Sequence, residues 1–363
     1  MTANILILGT GLIGTSIGLA LRGEADVVIG DADEEALSVA LSRGAGRRWN
    51  GKEKVNHAVL AVPPRHVVPE YLRLREIDAA RTWSHVASTQ SAVQLELERT
   101  GANLTTFCGS HPMAGKEQAG PQAAAADLFQ GRPWALCPSP TTSPRTVAAT
   151  RLIAEICGAE PIVLPAAEHD VAVALVSHLP QVAASAVAAA LLNDPRSGGS
   201  AVRLAGPGLQ DTTRIAGGDP ELWVDVLSQN ATAVAPLVRA LSLELNRTAD
   251  ALEHLAAAPG DPGPAAEVLR GLLRRGNAGR RLVPLKQGKH DRDFTIVPVG
   301  VPDQPGQLAG VLHTAAAAGV NVEDVRVEHL VGRPRGVIEL LVHASAESDA
   351  RAALAAGGWD VLG

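Results

Sequence analysis

Two histidines stand in segments of the sequence where an imidazole could act on a small substrate. His111 lies in Gly109–Glu117, a loop with Gly and Pro that follows a predicted strand. Neutral imidazole has a pKa near ~6.5, so a histidine can accept a hydroxyl proton at neutral pH. His178 comes three residues before Gln181, which places both side chains on one face of a predicted helix. Either histidine taken alone is more typical of a structural role in a loop or a core.

A second pair of residues could bind a carboxylate. Asp211 and Arg214 are three residues apart in a predicted helix, so they also share a face. A guanidinium holds a carboxylate through two parallel hydrogen bonds, which a lysine ammonium cannot do. The alternative is an ordinary surface ion pair, which contributes about 0–1 kcal/mol to stability.

The N-terminus carries the pattern of a phosphate-binding turn. A short apolar strand is predicted first, and GxGxxG and a predicted helix follow it directly. Gly9 permits the tight turn, Gly11 lets the backbone approach a pyrophosphate, and Gly14 lets helix and strand pack closely. Amide groups at the start of the helix, at Leu12 and Ile13, would then face the phosphates.

The end of the second predicted strand suggests which dinucleotide binds. Asp31 follows Val27–Ile29, about 20 residues after the glycines, where a carboxylate accepts the ribose hydroxyls. A carboxylate there repels a 2′-phosphate, so the sequence predicts NAD rather than NADP. Val62 and Pro63, at the end of the next predicted strand, complete the predicted cofactor site. Asp31 could equally cap the following helix, as could Asp33.

Composition excludes several classes of function. The net charge is −6, the isoelectric point is about 6.0 and aromatic residues make up 2% of the 363 residues, so nucleic-acid binding is not expected. The three cysteines form no CxxC pair, so neither a disulfide framework nor a metal site is predicted. A reducing, cytoplasmic compartment fits this cysteine content.

The apolar segments predict neither a signal peptide nor a membrane span. The first basic residue, Arg22, follows the N-terminal apolar stretch instead of preceding it, and glycines interrupt that stretch. The apolar run Val182–Leu192 is far shorter than the ~20 residues that a bilayer requires. We therefore expect a buried helix there and no membrane partner.

The elements that must position these residues divide the chain into a series of domains. Residues 1–164 alternate predicted strands with predicted helices, which indicates an α/β Rossmann-type domain with a doubly wound parallel sheet. Residues 165–256 carry long Ala-, Leu- and Val-rich helical segments and predict an all-helical domain. Within it, Val171–Leu192 is apolar nearly all round, which favours a subunit interface in a homodimer or a central helix.

The remaining residues form a linker and a small C-terminal module. Residues 257–293 begin with the Gly- and Pro-rich AAPGDPGP and continue as a basic, polar linker. Residues 294–363 show a βαββα pattern with room for a terminal strand, which predicts an α+β module of the βαββαβ, ferredoxin-like type.

Taken together, the motifs resemble the prephenate/arogenate dehydrogenases of tyrosine biosynthesis. The resemblance runs in order through Gly9–Gly14, His111–Gly115, His169–Pro180 and Asp211–Ala216, and it covers residues 1 to about 256. It implies the NAD-dependent oxidative decarboxylation of prephenate to 4-hydroxyphenylpyruvate, or of arogenate to tyrosine.

The resemblance also implies roles for individual residues near the reacting carbon. His111 would accept the proton of the ring hydroxyl, and Ser88 would orient the histidine and that hydroxyl. The resemblance also implies that His178 is a catalytic residue. The family usually has a lysine soon after this serine, whereas this chain has Thr89-Gln90.

Other residues of the pattern are expected to bind the substrate. Arg214 would hold a substrate carboxylate, and a network of Asp211, His169 and Glu117 would aim it. Many family members carry a histidine where this chain has Gln181, which cannot become cationic. Because prephenate and arogenate differ in the side chain expected to lie there, the sequence leaves the choice between them open.

The C-terminal module resembles an ACT domain, a type of module that commonly binds amino acids. Asp303 and Gly306 in its first loop, and Asn321 in the following turn, match the pattern. The resemblance implies a regulatory site for tyrosine or another aromatic amino acid.

Two other functions remain open at this point. Another two-domain dehydrogenase would be expected to carry a catalytic lysine on the helix after the Rossmann domain, but residues 165–256 contain no lysine. A non-catalytic sensor of NAD and amino acids is disfavoured by the joint presence of His111, His178 and Arg214.

Overall fold

The fold is described from a computed structural model of the chain. The structure describes residues 3–116, 118–193, 202–257, 263–283, 293–329 and 334–362. They form two compact units, Met1–Leu243 and Glu244–Gly363, which we call the first and the second unit. The predicted site residue Glu117 lies outside the described residues.

The first unit contains an eight-stranded sheet with helices between its strands. The strands are β1 (Asn4–Leu8), β2 (Asp26–Gly30), β3 (Arg47–Arg48), β4 (Val55–Leu60), β5 (Ala80–His85), β6 (Phe107–Pro112), β7 (Pro133–Pro138) and β8 (Glu160–Val163). The helices are α1 (Leu12–Ala20), α2 (Glu34–Ser42), α3 (Pro64–Glu76), α4 (Ser91–Arg99) and α5 (Pro144–Ile156). The spatial order β3-β2-β1-β4-β5-β6-β7-β8 is that of a Rossmann-like α/β sheet, as predicted.

One strand departs from the predicted parallel sheet. Strand β7 pairs antiparallel with β6, whereas the other neighbouring pairs of this sheet are parallel. Parallel neighbours need a crossover connection, usually a helix. The described part of the β6–β7 connection holds only a short 3-10 turn, Pro121–Ala123, so the chain returns beside β6 in the opposite direction.

The sheet is buried on both faces. Alternate residues of β1 point to opposite sides, so Ile5 and Ile7 pack in one apolar cluster and Leu6 and Leu8 in the other. This burial explains why these strands are continuous apolar runs without an alternating polar face. The sheet is therefore a rigid platform, and the segments after β1, β2, β4 and β5 carry the predicted cofactor-site residues and Ser88. His111 lies within β6, so its predicted position in a loop is wrong.

The helical part of the chain follows the sheet. Its helices are α6 (Ala166–Val173), α7 (Leu179–Asn193), α8 (Pro207–Thr213), α9 (Pro220–Gln229), α10 (Ala231–Ala257) and α11 (Gly263–Arg280). A π-helical turn, Ala174–His178, joins α6 to α7 without a break. The division between the two units falls within α10.

The continuous helical run from α6 to α7 is longer than the sequence suggests. Ala166–Leu192 has a mean hydropathy of 1.6 over its most apolar window, only 28% of that window is buried, and by length and composition it could cross a membrane. The sequence-based argument that the apolar segment is too short to span a bilayer is therefore wrong. A helix at a subunit interface shows the same exposed apolar surface, which here includes Val171, Leu175 and Val176.

The second unit contains a four-stranded antiparallel sheet. Its elements are β9 (Phe294–Pro302), α12 (Gln307–Ala317), β10 (Val322–His329), β11 (Arg335–His343), α13 (Glu347–Ala356) and β12 (Asp360–Val361). The sheet order β10-β11-β9-β12 gives the predicted βαββαβ topology. The core consists of aliphatic side chains such as Val299 and Leu340, packed against Val311 and Leu354 of the helices.

Candidate active site

The glycine-rich turn after β1 has the form of a phosphate-binding site. Gly9 has φ +101°, and a Cβ there would lie 2.3 Å from the Ala61 carbonyl oxygen. A Cβ on Gly14 would lie 1.9 Å from the Gly9 carbonyl oxygen, so both positions require glycine. The space beside Gly11 is open, and no side chain caps the N-terminus of α1. The amides of this turn are therefore available to an anion such as a pyrophosphate.

Asp31 completes the predicted cofactor site at the end of β2. Its carboxylate accepts hydrogen bonds from the amide and the hydroxyl of Thr10, the latter at 2.8 Å, and from the amide of Asp33 at 2.9 Å. Asp33, and not Asp31, caps α2 by accepting from the amides of Glu35 and Ala36. The alternative role of Asp31 as a helix cap is therefore wrong, and its carboxylate is positioned for a ribose.

A cavity of about 780 Å³ lies beside Asp31 and is large enough for a nucleoside. Val62 and Pro63 line it as predicted, and Gly9 lies at its edge. Trp49, which the sequence analysis missed, also lines it. The open space beside Gly11, the carboxylate of Asp31 and this cavity fit NAD.

His111 belongs to a chain of hydrogen bonds at the carboxyl side of the sheet. Its Nδ1 lies 2.9 Å from Nε2 of His169, and Nδ1 of His169 lies 2.8 Å from Oδ1 of Asp170. Desolvation lowers the pKa of His111 to about 3, with further lowering from His169 and His178. The ring of His111 is therefore neutral at pH 7, and it remains partly accessible.

The carboxylate of Asp170 is fixed by the N-terminus of α4. It accepts hydrogen bonds from the amides of Gln90 at 2.9 Å and Ser91 at 2.8 Å. Burial alone would raise the pKa of this carboxyl, but the hydrogen bonds from His169, Ser91 and Gln90 outweigh burial and hold the pKa below its usual value. Asp170 is therefore ionised although it is almost wholly buried.

His178 is held by a hydrogen bond from Asn230, in the turn between α9 and α10. The side-chain amide of Asn230 donates to the carbonyl oxygen of Asp170 at 2.8 Å and lies 3.2 Å from Nδ1 of His178. Burial lowers the pKa of His178, so its ring is neutral as well. An amide donor at Nδ1 leaves the proton of the neutral ring on Nε2. The ring meets Trp223 edge-on, at a centroid distance of 6.1 Å.

A second cavity, of about 590 Å³, collects the predicted substrate-binding residues. Arg214, at the turn after α8, and the buried Gln181 both line it. So do Lys116, from the loop after His111, and Trp223, neither of which the sequence analysis assigned to the site. The cavity therefore presents two cationic side chains and an aromatic ring to a ligand.

Two predicted residues take positions other than those expected. His169 was predicted to aim Arg214 together with Asp211, but both of its ring nitrogens are engaged by His111 and Asp170 and its side chain is buried. That prediction is wrong, because the helix carrying His169 packs this residue under β6. Asp211 is exposed on α8 and does not line the cavity.

The predicted role of Ser88 remains a prediction. It lies partly buried in the loop after β5. Within the described residues, Nδ1 of His111 is bonded to His169, so Ser88 is not its partner there. Asp170 belongs to the motif His169–Pro180 but was given no role, and Asn230 was missed, because the partners that fix them, such as Gln90 and His178, are more than fifty positions away.

Comparisons with known proteins agree with this geometry. Residues 17–163 match the family model described as "Prephenate dehydrogenase, nucleotide-binding domain", and residues 165–258 match "Prephenate dehydrogenase, dimerization domain". The chain is 35% identical over 340 residues to "Probable prephenate dehydrogenase NovF" of Streptomyces niveus, covering 93% of each chain. It is 26% identical to the prephenate dehydrogenase of Bacillus subtilis, covering 90% of this chain and 88% of that one.

Solved structures show the same fold over most of the chain. A prephenate dehydrogenase from A. aeolicus, crystallised with hydroxyphenyl propionate and NAD+, has a TM-score of 0.65 at 24% identity and covers 77% of this chain and 99% of its own. An arogenate dehydrogenase from Synechocystis has a TM-score of 0.60 at 25% identity, covering 77% and 100%. With the Streptomyces niveus relative matched along nearly its whole length, the chain belongs to the prephenate dehydrogenase family.

Proposed function

We infer that this protein catalyses the NAD-dependent oxidative decarboxylation of prephenate. The observation that carries this inference is the neutral, partly accessible His111 near the end of β6, since the loop after this strand reaches a cavity lined by Lys116 and Arg214. NAD, when bound, accepts the hydride from the carbon that bears the ring hydroxyl. His111 accepts the proton of that hydroxyl as the carbonyl forms.

Loss of the ring carboxylate as CO2 then makes the ring aromatic, and its electron pair enters the ring. The proton held by His111 returns to the resulting phenolate oxygen, so no net proton is released. Because aromatisation supplies the driving force, the protein mainly has to orient the reactants and hold one proton. The described residues serve these two tasks: the cavity side chains bind, and His111 holds the proton.

The cations of the cavity support a dianionic substrate. Prephenate carries two carboxylates, and Lys116 and Arg214 line the same cavity. Arginine binds a carboxylate through two parallel hydrogen bonds, and lysine adds a second positive charge. Arogenate also carries two carboxylates, so the arginine contact serves either substrate, but the second positive charge favours prephenate, whose side chain has no ammonium group.

Arogenate is the second candidate substrate, and Gln181 is the observation that favours it. Gln181 is buried in the wall of the same cavity, so a substrate side chain can reach it. A neutral glutamine does not repel the ammonium of arogenate as a cationic histidine would.

Turnover assays with both substrates test these statements. We expect NADH to form with prephenate and NAD, and absence of turnover with either substrate would favour a non-catalytic sensor. Gln181→His should raise the ratio of kcat/KM for prephenate over arogenate. An unchanged ratio would mean that residue 181 does not set the preference.

The family model of a dimerization domain supports a homodimer. We propose that the exposed apolar side chains of α6 and the π-helical turn, including Val171 and Leu175, lie in the subunit interface. Light scattering should give twice the chain mass for the native protein. Val171→Glu should shift this value towards the monomer, and a monomeric native protein would contradict the proposal.

The second unit is proposed to be an ACT-type module that binds tyrosine. Asp303 and Gly306 follow β9, whereas Asn321 precedes β10. In the sheet, Pro302 lies beside Arg335, and Val322 lies beside Val342. Arg335 and Val342 both lie on β11, and with a rise of about 3.3 Å per residue they are roughly 20 Å or more apart. The end of β9 and the start of β10 therefore lie at opposite ends of the sheet.

A site that used both ends would therefore need two copies of the module. We expect tyrosine to inhibit the full-length enzyme and Asn321→Ala to weaken that inhibition. Full activity of the native enzyme in saturating tyrosine, phenylalanine and tryptophan would show that the module has another role, such as dimerisation.

We also propose a cytoplasmic location. Cys108, Cys137 and Cys157 are all free and buried, which fits a reducing compartment. Fractionation of producing cells should recover the protein with the cytoplasmic enzymes, and recovery outside the cytoplasm would contradict this.

A further inference from the structure

The hydrogen bonds around His111 form a directed chain that begins at the N-terminus of α4. The amides of Gln90 and Ser91 donate to the carboxylate of Asp170. Backbone amides can only donate, so this carboxylate acts as an acceptor on that side. Of the three side chains joined by these hydrogen bonds, Asp170 has the only carboxylate, and the other two are the imidazoles of His169 and His111.

The charge of Asp170 determines the tautomer of His169. An ionised carboxylate has no proton to give, so Nδ1 of His169, 2.8 Å away, must donate to it. With a single proton on its ring, His169 then carries a lone pair on the other nitrogen. Nε2 of His169 is therefore an acceptor.

The tautomer of His169 in turn determines that of His111. Nε2 of His169 lies 2.9 Å from Nδ1 of His111, and an acceptor requires a donor at that distance. The proton of the neutral His111 ring is therefore on Nδ1. Its Nε2 is left bare, in the form that accepts a proton.

We propose that Asp170 is a positioning residue that acts through His169 to keep Nε2 of His111 unprotonated and ready to accept the substrate hydroxyl proton. The catalytic consequence rests on the proposed function, whereas the tautomer assignment does not. Asp170 touches neither reacting group, because its carboxylate is enclosed by His169 and the two amides of α4. When His111 gains a proton, the same chain connects the new positive charge to a buried anion.

Asparagine at position 170 would keep the shape of the side chain but would no longer fix the direction of the hydrogen bonds. Oδ1 of Asp170 faces both His169 and the amide of Gln90, and Oδ2 faces the amide of Ser91. An asparagine has one oxygen and one NH2 group, so it cannot accept at both positions. With NH2 towards His169, the rings take the opposite tautomers and Nε2 of His111 becomes protonated.

The first test reads the tautomer directly in the protein without substrate or cofactor. Nitrogen-15 spectra of protein labelled at histidine distinguish bare from protonated ring nitrogens, and His111→Asn identifies the signals of that ring. We expect a bare Nε2 on His111 in the native protein and a population with protonated Nε2 in Asp170→Asn. A protonated Nε2 in the native protein would overturn the proposal.

The second test uses kinetics with the holoenzyme. Asp170→Asn should lower kcat by about 10²–10⁴-fold while KM for prephenate and the Kd for NAD stay within about threefold. Asp219→Asn is the matched control, because Asp219 also accepts two backbone amides at a helix start, that of α9. We expect normal kcat in Asp219→Asn. Normal kcat in Asp170→Asn would overturn the catalytic role.

A double-mutant cycle keeps the proposal testable if Asp170→Asn alters folding. Glutamine at position 169 can accept from Nδ1 of His111 through its carbonyl oxygen, without passing on the charge of residue 170. In His169→Gln, adding Asp170→Asn should therefore change kcat little, so the two effects are not additive. Additive losses would show that Asp170 acts on folding and not through His169. A protein with the expected tautomer but no turnover of prephenate would disprove the proposed function and support the tautomer assignment.

Discussion

The interiors of the two units differ in polarity. In the first unit, buried side chains include five histidines or carboxylates besides many hydroxyls, and among them are His85, His169, Asp170 and His178. In the second unit, the described core consists of Val, Ile, Leu and Ala. Burying a polar group is costly unless it is hydrogen-bonded. In the first unit, the buried His169, Asp170 and His178 meet this condition with specific partners, and these three residues lie at the candidate site.

This difference in polarity indicates where each unit can transfer a proton or bind a ligand. The first unit holds neutral imidazoles and an ionised carboxylate in a desolvated setting, which is suited to moving a proton. The second unit has no such groups in its described core, so any ligand must bind at its loops or edges. Asp303, Gly306 and Asn321 are indeed exposed there.

Changing the buried histidines of the first unit is the strongest way to test this contrast. His111→Asn should lower kcat by about 10²–10⁴-fold, the usual range for a general base, with NAD binding retained. His57 is the matched control, because it is a buried histidine bonded to Thr82 and Ser84 away from the site. His57→Gln should cost stability and leave kcat unchanged. Equal losses of kcat in both variants would remove His111 from the mechanism.

A cavity created by mutation in the apolar core of the second unit should lower the stability of that unit without changing turnover. Leu340→Ala should lower the free energy of unfolding of this unit by about 2–5 kcal/mol, because Leu340 is fully buried. Hydrogen exchange measured by mass spectrometry reports on each unit separately. We expect loss of protection in residues 294–362 and normal turnover without effectors.

The matched variant in the first unit is Leu6→Ala, at an equally buried position of β1. It should reduce both protection around the sheet and turnover. If Leu340→Ala abolished turnover to the same degree, the assignment of the chemistry to the first unit alone would be wrong.

Acid should destabilise the first unit before the second. Desolvation lowers the pKa values of His57, His85 and His111 to about 3 in the folded protein. In the unfolded chain they bind protons near pH ~6.5, so the unfolded state binds more protons below that pH. The free energy of unfolding then falls as pH drops from about 6.5 towards 3, by up to about 1.4 kcal/mol per pH unit for each histidine.

The described histidines of the second unit that can be compared, His254, His313 and His343, are exposed. Hydrogen exchange at pH 7 and pH 5 should therefore show a larger loss of protection in residues 3–243 than in residues 294–362. Equal losses of hydrogen-exchange protection in both units would contradict the conclusion that the first unit buries neutral histidines.

The smallest expected effect compares two arginines. Arg214→Lys should raise KM for prephenate about tenfold, because a lysine loses the bidentate contact with a carboxylate. Arg275, which pairs with Glu244 at an exposed site of the second unit, is the matched control. Arg275→Lys should leave KM and stability nearly unchanged. An unchanged KM in Arg214→Lys would mean that Arg214 is structural.

The features that the sequence predicted well are those with local determinants. The turn at Gly9, Gly11 and Gly14 was predicted because the spacing of its glycines directly after a strand is a local signal, and a Cβ on Gly14 would indeed meet the Gly9 carbonyl oxygen of the same turn. The βαββαβ pattern of the second unit was predicted because each strand and helix is short, periodic and separated by turn residues. The antiparallel β7 was not predicted, because its direction depends on a connection without a crossover helix.

The sequence by itself determined which residue types were available for the chemistry, and the tertiary structure decided which of them meet. His169 and His178 are nine residues apart, which at about 100° per residue puts them on opposite faces of a regular α-helix. The π-helical turn Ala174–His178 takes up one extra residue and so rotates His178 by about 100° relative to α6. Asp170 and His178 then lie nearly in line, and a single amide from Asn230 reaches both. Such a turn, and a partner more than fifty positions away, depend on packing between helices, which local sequence patterns do not encode.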